Sequence, residues 1–436
     1  LVAEVSNIAG LFRLKCSGSP HRICCQVWAM TPFSSATFRR LWCSTLSSSG
    51  AQGIERTATA WLTLEAGGGA SGVGLVFAAR MLPSLLLGLA AGTIADRNER
   101  SRQLFAVAAT ALVLMLGFYW LAASGAVRVW QVVAIAFIAG CVQVFDTPAR
   151  QSLVLDTVPG ELAERAVALN AFAGRLAMAL GAFAAGAIIA FGGVARCYLA
   201  IAAIHACNAA LVATVRIAHT RRGTGTLPPF SEALRGAARL VIDVPAIRIL
   251  ITAGIACEIF AFSNGTALPI VAQDVLRAGA EGLGTLNAAV AVGGTIAVLL
   301  LSLLPQRVRR EPWLGAAFVV YGLSLLALGS TRSLIVATAI LVVTGICAGA
   351  FDVLQQTLIQ LAVPREQRGR AVGVWVLGLG SAPVGHLEMG FLIALIGAPS
   401  ALLINGSLTV LSAAILLICA PVYRWGAHGP RPQWVK

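Results

Sequence analysis

The chain has 436 residues, of which 58% are hydrophobic and only 11% charged, and a formal net charge of +14. Soluble domains carry about 25% charged residues, so this composition, with a mean hydropathy of +0.83, excludes a soluble domain and points to a polytopic membrane protein. The basic excess would suggest nucleic acid if it formed one patch, but the arginines are dispersed between apolar segments, and no nucleic-acid partner is expected.

Residues 1–29 have no helical apolar stripe and read as a non-native or disordered N-terminal extension, with translation expected to begin at Met30. No compact apolar core precedes a small-residue cleavage site, so the extension is not a signal peptide. Crossing ~30 Å of hydrocarbon takes about 20 apolar residues. Windows of that length predict twelve helices, at roughly 42–64, 71–95, 103–123, 129–148, 168–191, 197–217, 247–270, 283–304, 312–330, 333–354, 371–396 and 399–422. These are continuous apolar runs without two-residue alternation, which argues against a β-barrel. The expected fold is all-α: twelve transmembrane helices in two six-helix bundles. Residues 30–217 form the first half and 247–423 the second, joined by a cytoplasmic linker over 218–246 and followed by a tail over 424–436. Within the linker, Ser231 to Val241 forms a short amphipathic piece suited to a membrane surface. Small residues at Gly88/Gly92 and Gly345/Gly349 have the four-residue spacing that allows close helix contact.

Of the 32 basic residues, 25 fall on one side of this topology, four (Arg128, Arg196, Arg277, Arg332) on the other, and Arg56, Arg80 and Arg175 inside helices. The positive-inside rule then places both termini in the cytoplasm, and a bacterial inner membrane is the expected location. The ten cysteines show no metal or disulfide spacing. Lys15 and Lys436, the only lysines, close no phosphate-binding loop. No metal, cofactor or enzymatic activity is expected, and an ion gradient is the natural energy source.

The chain also repeats itself. Phe145-Asp146 and Phe351-Asp352 match at an offset of 206, and the pattern Pro-x-Glu-x-x-x-Arg-Ala-Val, starting at Pro159 and Pro364, matches at 205. A charged loop repeated between corresponding apolar segments marks a duplicated membrane half.

Between the second and third segments stands Gly92-Thr-Ile-Ala-Asp96-Arg97-Asn-Glu99-Arg100-Ser-Arg102. It resembles the loop signature of the major facilitator superfamily, Gly-x-x-x-Asp-Arg-x-Gly-Arg-Arg, with Glu99 in place of the second glycine and Ser101 interrupting the basic pair. Leu82-Pro83-Ser84, Asp146-Thr147-Pro148-Ala149-Arg150, Arg165-Ala166-Val167-Ala168-Leu169-Asn170 and Ala382-Pro383-Val384-Gly385 resemble its enterobactin-exporter-like and macrolide-efflux-like branch, the transmembrane secretion effectors. The resemblance covers about residues 38 to 422. It implies a monomeric secondary transporter in the lipid bilayer, exporting a small amphipathic organic compound (siderophore-, drug- or metabolite-like) by proton antiport. Import, lipid flipping and a non-transporting receptor remain the alternatives. Ala182 stands where the superfamily's antiporter motif commonly has proline.

The resemblance also implies a conformational latch: Gly92 for close packing, Asp96 and Arg97 in the loop, and Arg100 bridging to Asp146 at the cytoplasmic end of the fourth helix. In the second half, the corresponding stretch from Pro305 to Arg310 keeps arginines but no aspartate.

Ionisable residues within helices are costly in hydrocarbon and are the candidates for coupling. Glu55 and Glu258 occupy corresponding positions in the first and seventh segments, which the resemblance places around a central cavity. Arg80 lies at the same depth as Glu55, about 14 Å at 1.5 Å per residue, so a static pair with Arg80, or with the adjacent Arg56, is the alternative for Glu55. A hydrated carboxylate without a coupling role is the alternative for Glu258. His386 and Glu388 are about 200° apart on their helix and cannot share a face. Arg175 and His205 read as structural.

Overall fold

The computed structural model describes residues 31–97, 100–215, 230–303, 305, 308–364 and 367–419, with the side chains of 88–100 and a few other positions outside the description. The proposed N-terminal extension, most of the linker before Phe230 and the C-terminal tail therefore lie outside the described residues. No strand occurs among those described.

The first half consists of α1 (Ala36–Glu65), α2 (Gly69–Arg97), α3 (Arg100–Ala123), α4 (Val129–Asp156), α5 (Ala163–Gly192) and α6 (Val194–Ala213). The Ser35 side chain accepts from the Phe38 backbone N–H at 3.2 Å, an N-cap that starts α1 at its observed position. A surface helix, α7 (Phe230–Asp243), packs on α8 and α13. The seventh crossing, Pro245–Val275, is composite. It runs from α8 (Pro245–Ala256) through a π-helical turn at Cys257–Phe262, α9 (Asn264–Ile270) and a second π turn at Val271–Val275. The remainder is α10 (Gly279–Ser302), α11 (Glu311–Ser330), α12 (Leu334–Leu361), the eleventh crossing as α13 (Arg368–Leu379) and α14 (Ala382–Ile396), and α15 (Ala398–Cys419).

Eleven of these crossings are both long and apolar enough to span a membrane. The twelfth, α1, is long enough at 30 residues, but it carries polar side chains that other helices satisfy. Ser44 donates to Asn208 Oδ1 at 2.6 Å, Tyr198 donates to Thr59 Oγ1 at 3.2 Å, and Asn287 Nδ2 donates to Thr57 Oγ1 at 3.2 Å. A helix surrounded by protein needs no lipid-facing stripe. The lipid-facing surface lies elsewhere, with exposed Leu86, Val113, Leu180, Ile335 and Ile418, and with Trp120, Trp130 and Trp313 near helix ends where indoles favour the membrane interface.

The two halves meet along two seams, α2 against α14 and α5 against α10. In both, glycines near the ends facing away from the basic side bring the backbones into close contact. A Cβ on Gly390 would lie 2.9 Å from the Ala70 carbonyl oxygen and 3.2 Å from Gly74 Cα; one on Gly284 would lie 2.9 Å from Gly186 Cα and 2.9 Å from the Ala182 carbonyl oxygen. Gly74 and Gly284 are each five residues into their helices, and Gly186 and Gly390 each lie six residues before a helix end. The helix junctions also match: Gly193 and Gly397 have φ of +78° and +80°. The same contact is thus built twice, once by each pairing of duplicated helices.

Within the second half, Gly345 and Gly349 bring α12 directly against Val290 and Gly294 of α10. Gly88 and Gly92 lie outside the residues whose side chains are described.

Candidate functional site

A cavity of about 200 Å³ lies between the halves, lined by Arg56, Arg175, Asn264, Asn287 and Asp352 together with Phe262, Leu268 and small residues of α5, α10 and α12. Its charges are divided by origin. The first half supplies Arg56 from α1 and Arg175 from α5; the second supplies Asp352 from α12. Asp352 and Arg175 are close enough for their charges to interact.

The guanidinium groups have room because the opposite wall lacks side chains. A Cβ on Gly265 would lie 2.5 Å from Arg56 Nη2, and one on Gly294 would lie 3.1 Å from Arg175 Nη1. Arg56 also stacks over Phe77 at 5.8 Å from the ring centroid, a cation–π contact. Sequence reasoning missed this trio. The sequence offers Arg56 as an alternative partner of Glu55, Arg175 as a structural residue, and Asp352 as the repeat of Asp146. Two signals were available. Adjacent residues on a helix point about 100° apart, so Glu55 and Arg56 cannot serve one face. And Arg150, four residues after Asp146, corresponds to Gln356 after Asp352, so the duplicated aspartate lacks the arginine of its own helix.

The expected cavity position of Glu55 and Arg80 is not where these residues lie. Glu55 is buried inside the first half, with Arg80 Nε on Oε1 at 3.2 Å and Nη2 on Oε2 at 3.3 Å. The pair borders a separate pocket of about 20 Å³ with Gln52, Asp146, His205 and Asn208, space for about one water. α1 turns Arg56 toward the other half and Glu55 toward α2, α3 and α4. Breaking this pair is expected to lower stability without emptying the cavity. Glu55→Gln should lose on the order of 1.5–3 kcal/mol, the usual scale for a charged hydrogen bond. A double-mutant cycle with Arg80→Gln, read from denaturation midpoints of the purified protein, should be non-additive; additive losses would mean the two side chains act independently.

The second-half candidates also separate. Glu258 is half-buried in the first π turn, outside the cavity lining but within electrostatic range of Asp352. His386 Nδ1 and Thr266 Oγ1 are 2.8 Å apart, joining α14 to α9, and the ring packs on Phe77. Glu388 faces a different neighbour: it accepts from Asn405 Nδ2 of α15 at 3.0 Å. It therefore lies within the second half, away from the cavity, and the two-residue spacing accounts for the split.

The latch residues Gly92, Asp96, Arg97 and Arg100 fall among those whose side chains lie outside the description. Asp146 is described, and it is not at a helix end. α4 continues ten residues further to Asp156, because Asp146, Arg150 and Asp156 lower the hydropathy without interrupting the helix. Both Asp146 oxygens are engaged by Arg150, at 2.9 and 3.1 Å, and Arg150 Nη1 reaches Ser44 Oγ at 2.9 Å. No group of three or more potential metal ligands occurs among the described residues.

Two six-helix halves meeting around a charged cavity define a membrane transporter of the major facilitator type. The chain belongs to the transmembrane secretion effector family, whose model matches residues 27–434. It is 23% identical over 362 residues to the staphyloferrin A transporter of Staphylococcus aureus (strain NCTC 8325 / PS 47), covering 80% of this chain and 88% of that one. Among solved structures, the nucleoside transporter NupG superposes with a TM-score of 0.73 at 10% identity, covering 88% of this chain and 98% of NupG. A bacterial homologue of the human lysosomal transporter Spinster superposes with a TM-score of 0.64 at 15% identity, covering 89% and 95%.

Proposed function

We propose that the protein is a secondary active transporter that exports a small amphipathic organic compound from the bacterial cytoplasm by proton antiport, as a monomer. The observation that carries this reading is the cavity at the junction of the halves, with ionisable side chains contributed from both sides. A site so placed can face either compartment as the halves rock, and charges that would be costly in lipid have a purpose there. The similarity to a staphyloferrin A transporter supports a small organic solute. Arg100 and Asp146, with Gly92, Asp96 and Arg97, form the latch in this reading, holding one conformation through the loop after α2.

Asp352 and Glu258 are the proposed proton carriers, since Asp352 lines the cavity and Glu258 lies in the π turn beside Phe262, which lines it too. In proteoliposomes with an imposed pH gradient, the wild-type protein should accumulate an amphipathic dye against its concentration. Asp352→Asn or Glu258→Gln should still exchange dye at equal concentrations but lose most gradient-driven accumulation. Full accumulation by both variants would remove these acids from the coupling step; absence of movement by wild type across a broad dye panel would argue against transport itself.

A further inference from the structure

Resting on that reading, we infer that the cavity is a binding site for a carboxylate-bearing organic acid, held by Arg56 and Arg175 with Asn264. Three observations converge. First, neither Arg56 nor Arg175 has a hydrogen bond or ion pair at contact distance among the described residues, although both line the cavity. Two other arginines within the helices of the first half are engaged: Arg80 by Glu55 and Arg150 by Asp146. Second, Asn264 is 5% exposed and its Nδ2 has no acceptor. Third, Gly265 and Gly294 of the opposite half meet the guanidinium groups with bare backbone, where any side chain would collide with them.

The unfilled groups are all donors. A guanidinium offers five N–H groups and no acceptor, and an amide nitrogen offers two more. Unpaired donors and charges are costly wherever they are shielded from water, and a ligand that fills the cavity must supply acceptors and negative charge to satisfy them. A carboxylate does both, with the planar two-oxygen geometry that matches a guanidinium. Phosphate or sulfate esters share the charge but would demand more of a space whose remaining walls are apolar and small. Charge balance points the same way: two guanidiniums against the single carboxylate of Asp352 leave one positive charge for an acid group to neutralise. Phe262 and Leu268 offer the apolar part of the ligand a surface. Asp352, within range of Arg175, is then the resident counter-ion with which the incoming acid competes.

The test uses three dansyl probes that share a ring system: dansylglycine (an acid), dansylglycinamide (its neutral amide) and dansylcadaverine (an amine). Binding to the purified full-length protein is read by dansyl fluorescence. Dansylglycine should bind at least tenfold more tightly than the other two. Arg56→Gln and Arg175→Gln should each weaken it at least tenfold, Arg56→Lys should retain part of the affinity, and Asp352→Asn should tighten it severalfold. The comparison of probes on the wild-type protein needs no variant to fold. Equal or tighter binding of the amide or the amine, or no binding of the acid, would overturn the anion site. Transport is decided separately: a protein that moves dansylcadaverine but ignores dansylglycine in proteoliposomes would remain a transporter without this site.

Discussion

Replacing Arg150 with leucine is expected to abolish accumulation of folded protein. Its guanidinium joins three helices: it holds both Asp146 oxygens on α4, the Ser44 hydroxyl on α1, and through Ser44 the Asn208 side chain on α6. Asp146 and Arg150 are 5% and 7% exposed, so removing the cation takes from a buried carboxylate the guanidinium that holds both its oxygens. Breaking such a pair costs about 3–5 kcal/mol, a large fraction of the ~5–15 kcal/mol that typically separates folded from unfolded protein. Asp146→Asn in the same chain should recover part of the loss, because the uncompensated charge is gone. Size-exclusion profiles of the detergent-extracted protein report both outcomes. An Arg150→Leu variant that elutes and melts like wild type would mean that the network contributes little.

A leucine at Gly390 should leave a protein that inserts but does not transport. The added Cβ would sit 2.9 Å from the Ala70 carbonyl oxygen, where only a shift of α2 or α14 gives room. Overpacking of this kind costs about 1–3 kcal/mol, which the bundle can absorb, but it falls on the surface along which the halves close. Transport is expected to fall at least tenfold, with the melting temperature only modestly lowered. Gly186→Leu, at the duplicated position on the other seam, should behave alike. Normal exchange by both variants in proteoliposomes would show that the seams need not shut during the cycle.

The crossings were legible in the sequence because hydrocarbon imposes a length and a composition on any helix it contacts. Legibility declined where protein replaced lipid. α4 runs on to Asp156 although its last turns are polar, with Arg150 bonded to Ser44 of α1, and α1 carries Ser and Thr side chains that bond to other helices. Charged residues could be found by eye but not aimed. Glu55 and Arg56 are adjacent, yet one is held inside a bundle by Arg80 and the other opens onto the cavity, a distinction set by 100° of helix rotation. The separation of His386 from Glu388 followed from spacing alone, whereas their partners, Thr266 and Asn405, come from other helices that only the fold brings near. The change from Arg150 to Gln356 is visible in the chain, but its meaning depends on knowing that α12 presents Asp352 to the other half.

The seventh crossing differs from its neighbours in having two wide turns, at Cys257–Phe262 and Val271–Val275, on either side of α9. Each wide turn holds a residue more than α-helical winding needs, so the crossing carries slack that a regular helix lacks. If one wide turn migrates by a single residue, the backbone trades one set of hydrogen bonds for another and the intervening segment rotates by about 100°. Gly265 would then swing away from Arg56, and Thr266, now turned to His386, would come to face it. α9 is in this sense a bearing mounted between two slipping collars. The seventh crossing can change what it shows the cavity while its two ends stay fixed in the bundle.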